Sequence, residues 1–278
     1  MRTRRAAGTF FLLCFLFFGV VTAASRMLPT KPARVPEDLR EQWRPDLSSV
    51  SSIDDAMRVL PTYIAREHGN RDARVAFAID HFVRDRFFHQ PSFLSFRQNW
   101  LAAIAGAFWM DLRIPVLPDE ILQHRRAICS QQAIVFMELL KRRGIHYAAV
   151  MMSWPSDDPW SHGHFAVTAR IDGRWLYFDP DQEAERTGVP VSHVIDGSAL
   201  PDLYAHKPAL LAAMRYAAAH RRIWLGHFDE YPAPRGGLFQ IVTEWLSAWG
   251  WLVFALIAAG LLFRPRVDRL PEPIVLPA

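Results

Sequence analysis

Three residues whose side chains could act together in covalent catalysis occur in chain order on separate predicted elements: Cys129, His164 and Asp179. Cysteine attacks carbonyl carbons as its thiolate, and histidine takes up and releases a proton near neutral pH. A carboxylate bonded to one ring nitrogen fixes the imidazole tautomer and leaves the other nitrogen for the thiol. The sequence therefore predicts a cysteine-nucleophile site built from these three residues.

Cys129 stands at the beginning of a predicted helix, residues 130–143, which Gly144 ends. Apolar side chains recur there at offsets of three and four, so that Cys129 shares a face with core-facing residues. The first N–H groups of a helix have no intrahelical partner, and the helix dipole favours an anion at that end. Arg125 and Arg126 add positive charge nearby. These features favour the thiolate, which is the nucleophilic form.

A tight turn is predicted at Asp172-Gly173, between strands at residues 164–171 and 174–179. Asp-Gly between alternating apolar residues is a strong hairpin signal, and a two-residue loop fixes the strand register. In that register Asp179 lies diagonally across from His164 on the same face, at a backbone separation of roughly 7–8 Å. Turn chemistry alone therefore predicts a contact between these two side chains.

Two alternatives involve neighbouring residues. Asp181 would lie directly opposite His164 in the same register, but Pro180 is expected to end the strand first, which favours Asp179. His162 lies on the same face as His164, and with Cys129 the two histidines could form a zinc site. No further ligand cluster is visible in the sequence. We therefore predict neither a metal nor a cofactor.

Helical patterns precede the cysteine, and strands follow it. Helices are predicted at residues 52–61, 71–88, 99–110 and 118–124. Ser52 is expected to start the first of these, and Pro61 to end it or to interrupt it before residue 67; the length of the third predicts a core helix. A strand at 147–153 precedes the hairpin, and helical patterns return at 198–204 and 208–223. Helices followed by an antiparallel meander predict an α+β fold.

The N-terminus has the layout of an export signal. Arginines precede an uncharged run, residues 9–21, which is rich in Phe and Leu, and small residues follow. This layout is typical of a cleaved signal peptide, but residues 6–24 are also just long enough to remain as a membrane anchor. Cys14 is read as one more apolar residue of the run, because Leu13 before it is too large for a lipoprotein site.

The C-terminus carries a second predicted span. Residues 245–263 are almost wholly apolar, with tryptophans at one end and arginines beyond the other. Arginine at both outer ends places both termini in the cytoplasm by the positive-inside rule. The predicted divisions are a signal peptide or anchor at 1–24, a tether at 25–50, an extracytoplasmic domain at 51–236, a transmembrane helix at 238–263 and a cytoplasmic tail at 264–278. In a bacterium this domain would lie in the periplasm, attached to the inner membrane.

Composition limits the function further. Of the 278 residues, 22% are charged and 51% are hydrophobic, which argues against a disordered chain. The net charge of +4 is spread along the chain in isolated Arg pairs without interleaved aromatics, so that no nucleic-acid partner is predicted. Cys129 is the only cysteine outside the predicted spans and has no intrachain disulfide partner. In an oxidising compartment such a thiol is expected to be either buried or reactive.

Residues 119–180 resemble the core of the transglutaminase-like superfamily of cysteine enzymes. The matching positions are Cys129, Ala133, Gly144-Ile145, His164, Gly173-Arg174-Trp175 and Asp179-Pro180. The resemblance implies a papain-like core in which the cysteine helix packs on an antiparallel sheet. It also implies Cys129 as nucleophile, His164 as base and Asp179 as its orienting acid, with acyl transfer or hydrolysis at an amide through a thioester and without a metal.

The chain departs from that family pattern at Ile128, where glycine is common, and at Val167, where an aromatic residue is frequent. Gln123 precedes the cysteine where papain-like proteases carry an oxyanion glutamine, but exposed helix polarity explains it better. We expect a membrane-tethered peptidase or amidase that acts on a protein or peptide of the cell envelope, with hydrolysis favoured over transfer. The alternative is a non-catalytic binding protein of the same fold in envelope or exopolysaccharide assembly.

Overall fold

A computed structural model describes residues 2–29, 34–37, 41–157 and 162–263. These residues form a mixed α+β structure, as predicted. The helices are α1 Arg2–Met27, α2 Ile53–Ile64, α3 Arg71–Arg86, α4 Trp100–Ala105, α5 Pro118–Leu122, α6 Cys129–Arg142, α7 Val191–Ile195, α8 Leu200–Tyr204, α9 Pro208–Ala219 and α10 Pro234–Phe263. The strands are β1 Phe88–His89, β2 Arg126–Ala127, β3 Tyr147–Ser153, β4 Gly163–Ile171, β5 Arg174–Phe178, β6 Val189–Pro190 and β7 Ile223–Leu225. Short 3-10 helices occur at Pro45–Ser49 and Met110–Arg113.

The central sheet is antiparallel, in the order β6-β5-β4-β3-β7, and has apolar layers on both faces. Successive strand residues point to opposite faces, so that Ala149 joins the core formed with α2, α3 and α6, whereas Val150 joins the core formed with α7, α8 and α9. Strands β1 and β2 form a separate parallel pair. The cysteine-bearing helix α6 therefore packs on one face of the sheet.

The predicted hairpin register is confirmed. Asp172 and Gly173 have φ values of 52° and 77°, as a two-residue turn with two left-handed residues requires. Ile171 pairs with Arg174, and the ladder continues to Val167 opposite Phe178. The strand ends there, which leaves Asp179 just beyond it.

Replacing Gly173 with alanine should lower the free energy of unfolding by about 1 kcal/mol, because a Cβ is strained in the left-handed region. A Cβ at this position meets nothing within 4 Å, so crowding plays no part. Thermal unfolding of the full chain in detergent measures the change. Gly260→Ala is the matched control, since that position is equally open but helical. Equal effects of the two replacements would contradict a conformational origin.

Helix α2 differs from the sequence prediction at its end. Ser52 caps its start, as predicted, by accepting a hydrogen bond from the Asp55 N–H at 3.1 Å. The helix continues through Pro61 to Ile64. Leu60 and Tyr63 are buried on either side of the proline. Their packing holds the last turn, although the proline lacks the N–H of a regular helix.

The predicted core helix at 99–110 is shorter than expected and only half buried. Asn99 caps α4 by accepting a hydrogen bond from the Ala102 N–H, and Trp100 is buried. Beyond the helix, Phe108 is 76% exposed and Trp109 is 72% exposed. The prediction of a core element is therefore wrong for the second half of this segment. Length and apolarity do not distinguish a core helix from a surface apolar segment.

The two terminal helices, α1 and α10, lie side by side and antiparallel. The Thr22 hydroxyl donates to the Ser247 carbonyl at 2.9 Å, and the Phe18 ring contacts the Phe254 ring at a centroid distance of 4.8 Å. Each contains an 18-residue stretch of high mean hydropathy, 2.2 in α1 and 2.1 in α10, and both are long and apolar enough to cross a membrane. Helix α10 begins well before the predicted span, and the predicted tail at 264–278 lies outside the described residues.

Helix α10 is also bonded to the rest of the fold. Gln240 donates to the Ile114 carbonyl at 2.6 Å and accepts from the Val116 N–H at 2.9 Å. The Asn99 amide donates to the Thr243 hydroxyl at 2.8 Å. These side-chain bonds fix the helix to the segment that precedes α5.

Candidate active site

Cys129 is the first residue of α6, as predicted, and its thiol is free and partly exposed. Ile128 stands before it and has no side-chain acceptor to cap the helix. Gln131 fixes the helix start instead: its side-chain oxygen accepts from the Ile128 N–H at 3.1 Å, and its amide donates to the Pro115 carbonyl at 3.2 Å. The backbone that carries the thiol is therefore held from two sides.

The predicted contact between the imidazole and the carboxylate is present. His164 Nε2 lies 2.8 Å from Asp179 Oδ2, and the two side chains are 3% and 0% exposed. The Cys129 sulfur lies within 4.8 Å of a ring nitrogen of the same imidazole. Since Nε2 faces Asp179, Nδ1 is the ring nitrogen directed to the sulfur. The structure thus brings the helix and the hairpin together with the imidazole between the thiol and a buried carboxylate.

Asp179 is the best-bonded carboxylate of the site. The hydroxyls of Tyr204 and Tyr177 donate to its Oδ2, the latter at 3.3 Å, and the Gln182 N–H donates to its Oδ1 at 3.2 Å. Burial by itself would raise the pKa of Asp179, but the His164 charge and these hydrogen bonds outweigh it and lower the pKa to about 2. Asp179 is therefore ionised at neutral pH.

The pKa of the His164 imidazole is shifted in the opposite direction. Burial lowers the pKa of His164, but the Asp179 charge, the hydrogen bond to that carboxylate and the contact with Cys129 together raise the pKa well above 6.5. The protonated form of His164 is therefore favoured. A protonated imidazole beside a thiol favours the thiolate.

The lowered pKa of Asp179 predicts an acid-sensitive contribution to stability. A carboxyl with a pKa of about 2 in the folded state and 3.8 when free stabilises the fold above pH 4 by about 2 kcal/mol, and this is lost between pH 4 and pH 2. The difference in melting temperature between the wild type and Asp179→Asn should narrow by about 4–8 °C over that interval. Asp202→Asn, which changes an exposed carboxylate, should show no such narrowing.

A second buried carboxylate lies on the thiol side of the site. An oxygen of Asp181, a ring nitrogen of His164 and the Cys129 sulfur lie within 4.8 Å of one another. Asp181 Oδ1 accepts from the Gln132 amide at 2.9 Å and lies 2.7 Å from His89 Nδ1. Asp181 therefore lies close to Cys129 and His164, but the carboxylate that contacts His164 Nε2 is that of Asp179. These three residues are also the group in the described chain whose donor atoms could hold a metal ion.

Comparison with models of known protein families, with curated proteins and with solved structures finds no match.

The other residues considered at the sequence level lie elsewhere. His162 is exposed and is not part of the group formed by Cys129, His164 and Asp181. The predicted alternative of a zinc site that includes His162 is therefore not what the structure brings together. Gln123 is exposed, and its side-chain oxygen accepts from the Gln98 amide at 3.0 Å. This agrees with the interpretation of Gln123 as a polar residue on an exposed part of the helix.

Sequence reasoning missed several residues that build the site. His89 reaches Asp181 because β1 pairs with β2 two residues before the cysteine, with His89 opposite Ala127. A two-residue strand leaves no periodic signal, so that this pairing was not predictable. Tyr177 was predictable in principle, since it shares a strand face with Asp179 two residues later. Tyr204 comes from the distant helix α8, and no local pattern links it to the site.

Proposed function

We propose that this chain is a membrane-anchored cysteine peptidase or amidase of transglutaminase-like type, with Cys129 as nucleophile, His164 as acid and base, and Asp179 as the residue that orients His164. The observation that carries the proposal is the imidazole held between a partly exposed cysteine residue and a fully buried carboxylate. That arrangement supports nucleophilic catalysis wherever it occurs, irrespective of fold.

The reaction follows from the protonation states. The Cys129 thiolate attacks the carbonyl carbon of an amide, and the N–H of Cys129, which has no intrahelical partner, is a donor for the developing oxyanion. Protonated His164 gives its proton to the leaving amine, and a thioester remains. Neutral His164 then takes a proton from water, which attacks the thioester and releases the acid and the thiolate. Asp179 keeps the imidazole oriented throughout.

The cellular setting is part of the proposal. Helices α1 and α10 are read as a pair of membrane spans, with arginines at both chain ends on the cytoplasmic side and the intervening domain outside. A domain held on that side meets proteins and peptides of the cell envelope. Hydrolysis is favoured over transfer because water is the abundant acceptor.

The test is a comparison of the purified full-length chain, in lipid nanodiscs, with its Cys129→Ala variant. Each is incubated with cell-envelope extract, and new peptide termini are identified by mass spectrometry. We expect termini that appear with the wild type and are absent with Cys129→Ala. The Cys14→Ala variant, which lacks the other cysteine, should behave as the wild type. Equal patterns for the wild type and Cys129→Ala would favour the non-catalytic alternative.

A further inference from the structure

Cys129, His164 and Asp181 offer a thiol, an imidazole and a carboxylate within 4.8 Å of one another. This mixed sulfur, nitrogen and oxygen set suits zinc better than magnesium or calcium, which prefer oxygen ligands alone. Tetrahedral zinc, with bonds of about 2.0–2.3 Å, places its ligand atoms roughly 3.3–3.8 Å apart. The three donors therefore need to close by at most about 1–1.5 Å to reach the same ion.

Two of the three donor side chains, those of His164 and Asp181, are already held by outer hydrogen bonds. Asp179 binds the far nitrogen of His164 at 2.8 Å, an arrangement that orients metal-binding histidines. Asp181 is held by the Gln132 amide at 2.9 Å and by the Gln182 amide at 2.6 Å. Cys129 is fixed by the helix start. Such support lowers the entropy lost when ligands gather around an ion.

We propose that these three residues form a zinc-binding site, and that the bound ion occupies the thiolate and the imidazole nitrogen that the proposed reaction requires. Three protein ligands leave one position of a tetrahedral ion open, and the partly exposed thiol gives access from solvent. Cys129 can then react with a substrate only when the site holds no zinc. The inhibitory consequence rests on the proposed function, whereas the metal site itself does not.

Asp181 has a role in the proposed zinc site but none in the proposed catalytic reaction. It is a ligand in the zinc site, but it does not contact His164 Nε2, which Asp179 occupies. The Asp181→Asn replacement keeps the shape of the side chain and weakens it as a metal ligand. Each variant's alkylation rate is therefore compared with its own metal-free value, so that any change in basal reactivity cancels.

The experiment titrates the full-length protein in detergent with zinc chloride and, separately, with cobalt chloride. We expect one ion per chain, a thiolate-to-cobalt charge-transfer band that disappears in Cys129→Ser, and at least tenfold slower alkylation of Cys129 when zinc is bound. Asp181→Asn should bind zinc about 10–100-fold more weakly, and Asp202→Asn, a change to an exposed carboxylate, should bind as the wild type.

The outcomes are distinct. Equal zinc affinity of the wild type and Asp181→Asn, or cobalt binding without the thiolate band, overturns the inference. Metal binding without cleavage of any envelope peptide leaves the site standing and removes the enzyme proposal. Cleavage of an envelope peptide without metal binding supports the enzyme proposal and overturns the zinc site.

A second, independent feature is the exposed apolar segment that follows α4. Phe108, Trp109 and Met110 are all exposed, the first two by more than 70%. Helix α4, which leads into the segment, is bonded at its start to the terminal helix pair, because the Trp100 indole donates to the Ser247 carbonyl at 3.1 Å. The Trp100 ring also contacts the Phe18 ring of α1 at a centroid distance of 5.0 Å.

We infer that this segment inserts into the interfacial layer of the same bilayer that α1 and α10 are proposed to cross. Trp245 and Trp249 are also exposed, at the beginning of the most apolar part of α10, so that Trp109 continues an aromatic belt of the kind found at membrane surfaces. The occupant of the patch is lipid, because the helix that leads into it packs on helices whose exposed faces are apolar.

The test attaches an environment-sensitive fluorophore to single cysteines in a chain without native cysteines, reconstituted in phosphatidylcholine vesicles. Quenching by lipids that carry a nitroxide near the headgroup is expected for Phe108→Cys. Leu252→Cys in α10 is the lipid control, and Phe228→Cys, another exposed aromatic position, is the aqueous control. If the fluorophore at Phe108→Cys is quenched no more than the one at Phe228→Cys, the insertion of this segment is overturned, but the membrane spans are not. If the fluorophore at Leu252→Cys is not quenched by the lipids, the proposal that α1 and α10 cross the membrane is overturned as well.

Discussion

Replacing His164 with alanine is expected to slow the alkylation of Cys129 by iodoacetamide about 10²-fold near pH 7, because the protonated imidazole is the group that favours the thiolate. The rate is measured by mass spectrometry of the peptide that contains Cys129. Raising the pH should restore much of the rate in the variant, since hydroxide then removes the thiol proton without help.

His162→Ala is the matched control for this prediction. It removes a neighbouring histidine that is exposed and lies outside the site, and its alkylation rate should equal that of the wild type. Asp179→Asn should slow alkylation less than His164→Ala does, because the imidazole remains but loses the charge that raises its pKa. A wild-type rate in His164→Ala at pH 7 would show that this imidazole does not activate the thiol.

Replacing Arg84 with alanine is expected to lower the free energy of unfolding by about 3–5 kcal/mol, the usual effect of removing one partner of a buried ion pair. Arg84 Nε lies 2.8 Å from Asp80 Oδ2, and both side chains are buried. Burial raises the pKa of Asp80, and the Arg84 charge is the largest effect that opposes this, so that the carboxylate would lose its main compensating charge. The change is measured as the melting temperature of the full chain in detergent.

Two further variants sharpen this test. Arg58 also pairs with an aspartate one helical turn away, Asp55, but its side chain is 73% exposed, and Arg58→Ala should change stability by less than about 1 kcal/mol. The double replacement Asp80→Leu with Arg84→Met removes both charges and should recover most of the loss. If the double variant is as unstable as Arg84→Ala, the packing of the arginine stem and not its charge holds this region.

Arg84 also connects stability to the site. Its guanidinium donates to the Asp179 carbonyl at 3.5 Å and to the Ala184 carbonyl at 3.4 Å. The loop between these two residues carries both carboxylates that neighbour the imidazole. Arg84→Ala should therefore also slow the alkylation of Cys129, at temperatures where the variant remains folded.

The parts of the fold that depend on local chemistry were predictable from the sequence. The Asp172-Gly173 turn fixed the hairpin register, and that register placed His164 beside Asp179. The helix that begins at Cys129 was predictable from its apolar spacing. In each case residues that are close in sequence determine the geometry, so that no tertiary information was needed.

The parts that depend on distant segments were not predictable. Asp181 lies beyond the strand end, and its position depends on Gln132 and His89, which reach it from two other elements. Strand β7 was not predicted: it begins at Ile223, where the predicted helical segment ends, and it forms by pairing with β3. The resemblance to transglutaminase-like enzymes stays a prediction, since it rests on motif positions alone.

The bonds from α10 to the segment before α5 have a consequence for how targets would be found. Gln240 and Thr243 join the last helix to the domain by side-chain hydrogen bonds, so the anchor is not a hinge. With α10 in the bilayer, the thiol would work at one constant height above the lipid. Only bonds of a target that lie at that distance from the membrane surface would then be reached. Enzyme and target would meet by diffusion in the plane of the membrane.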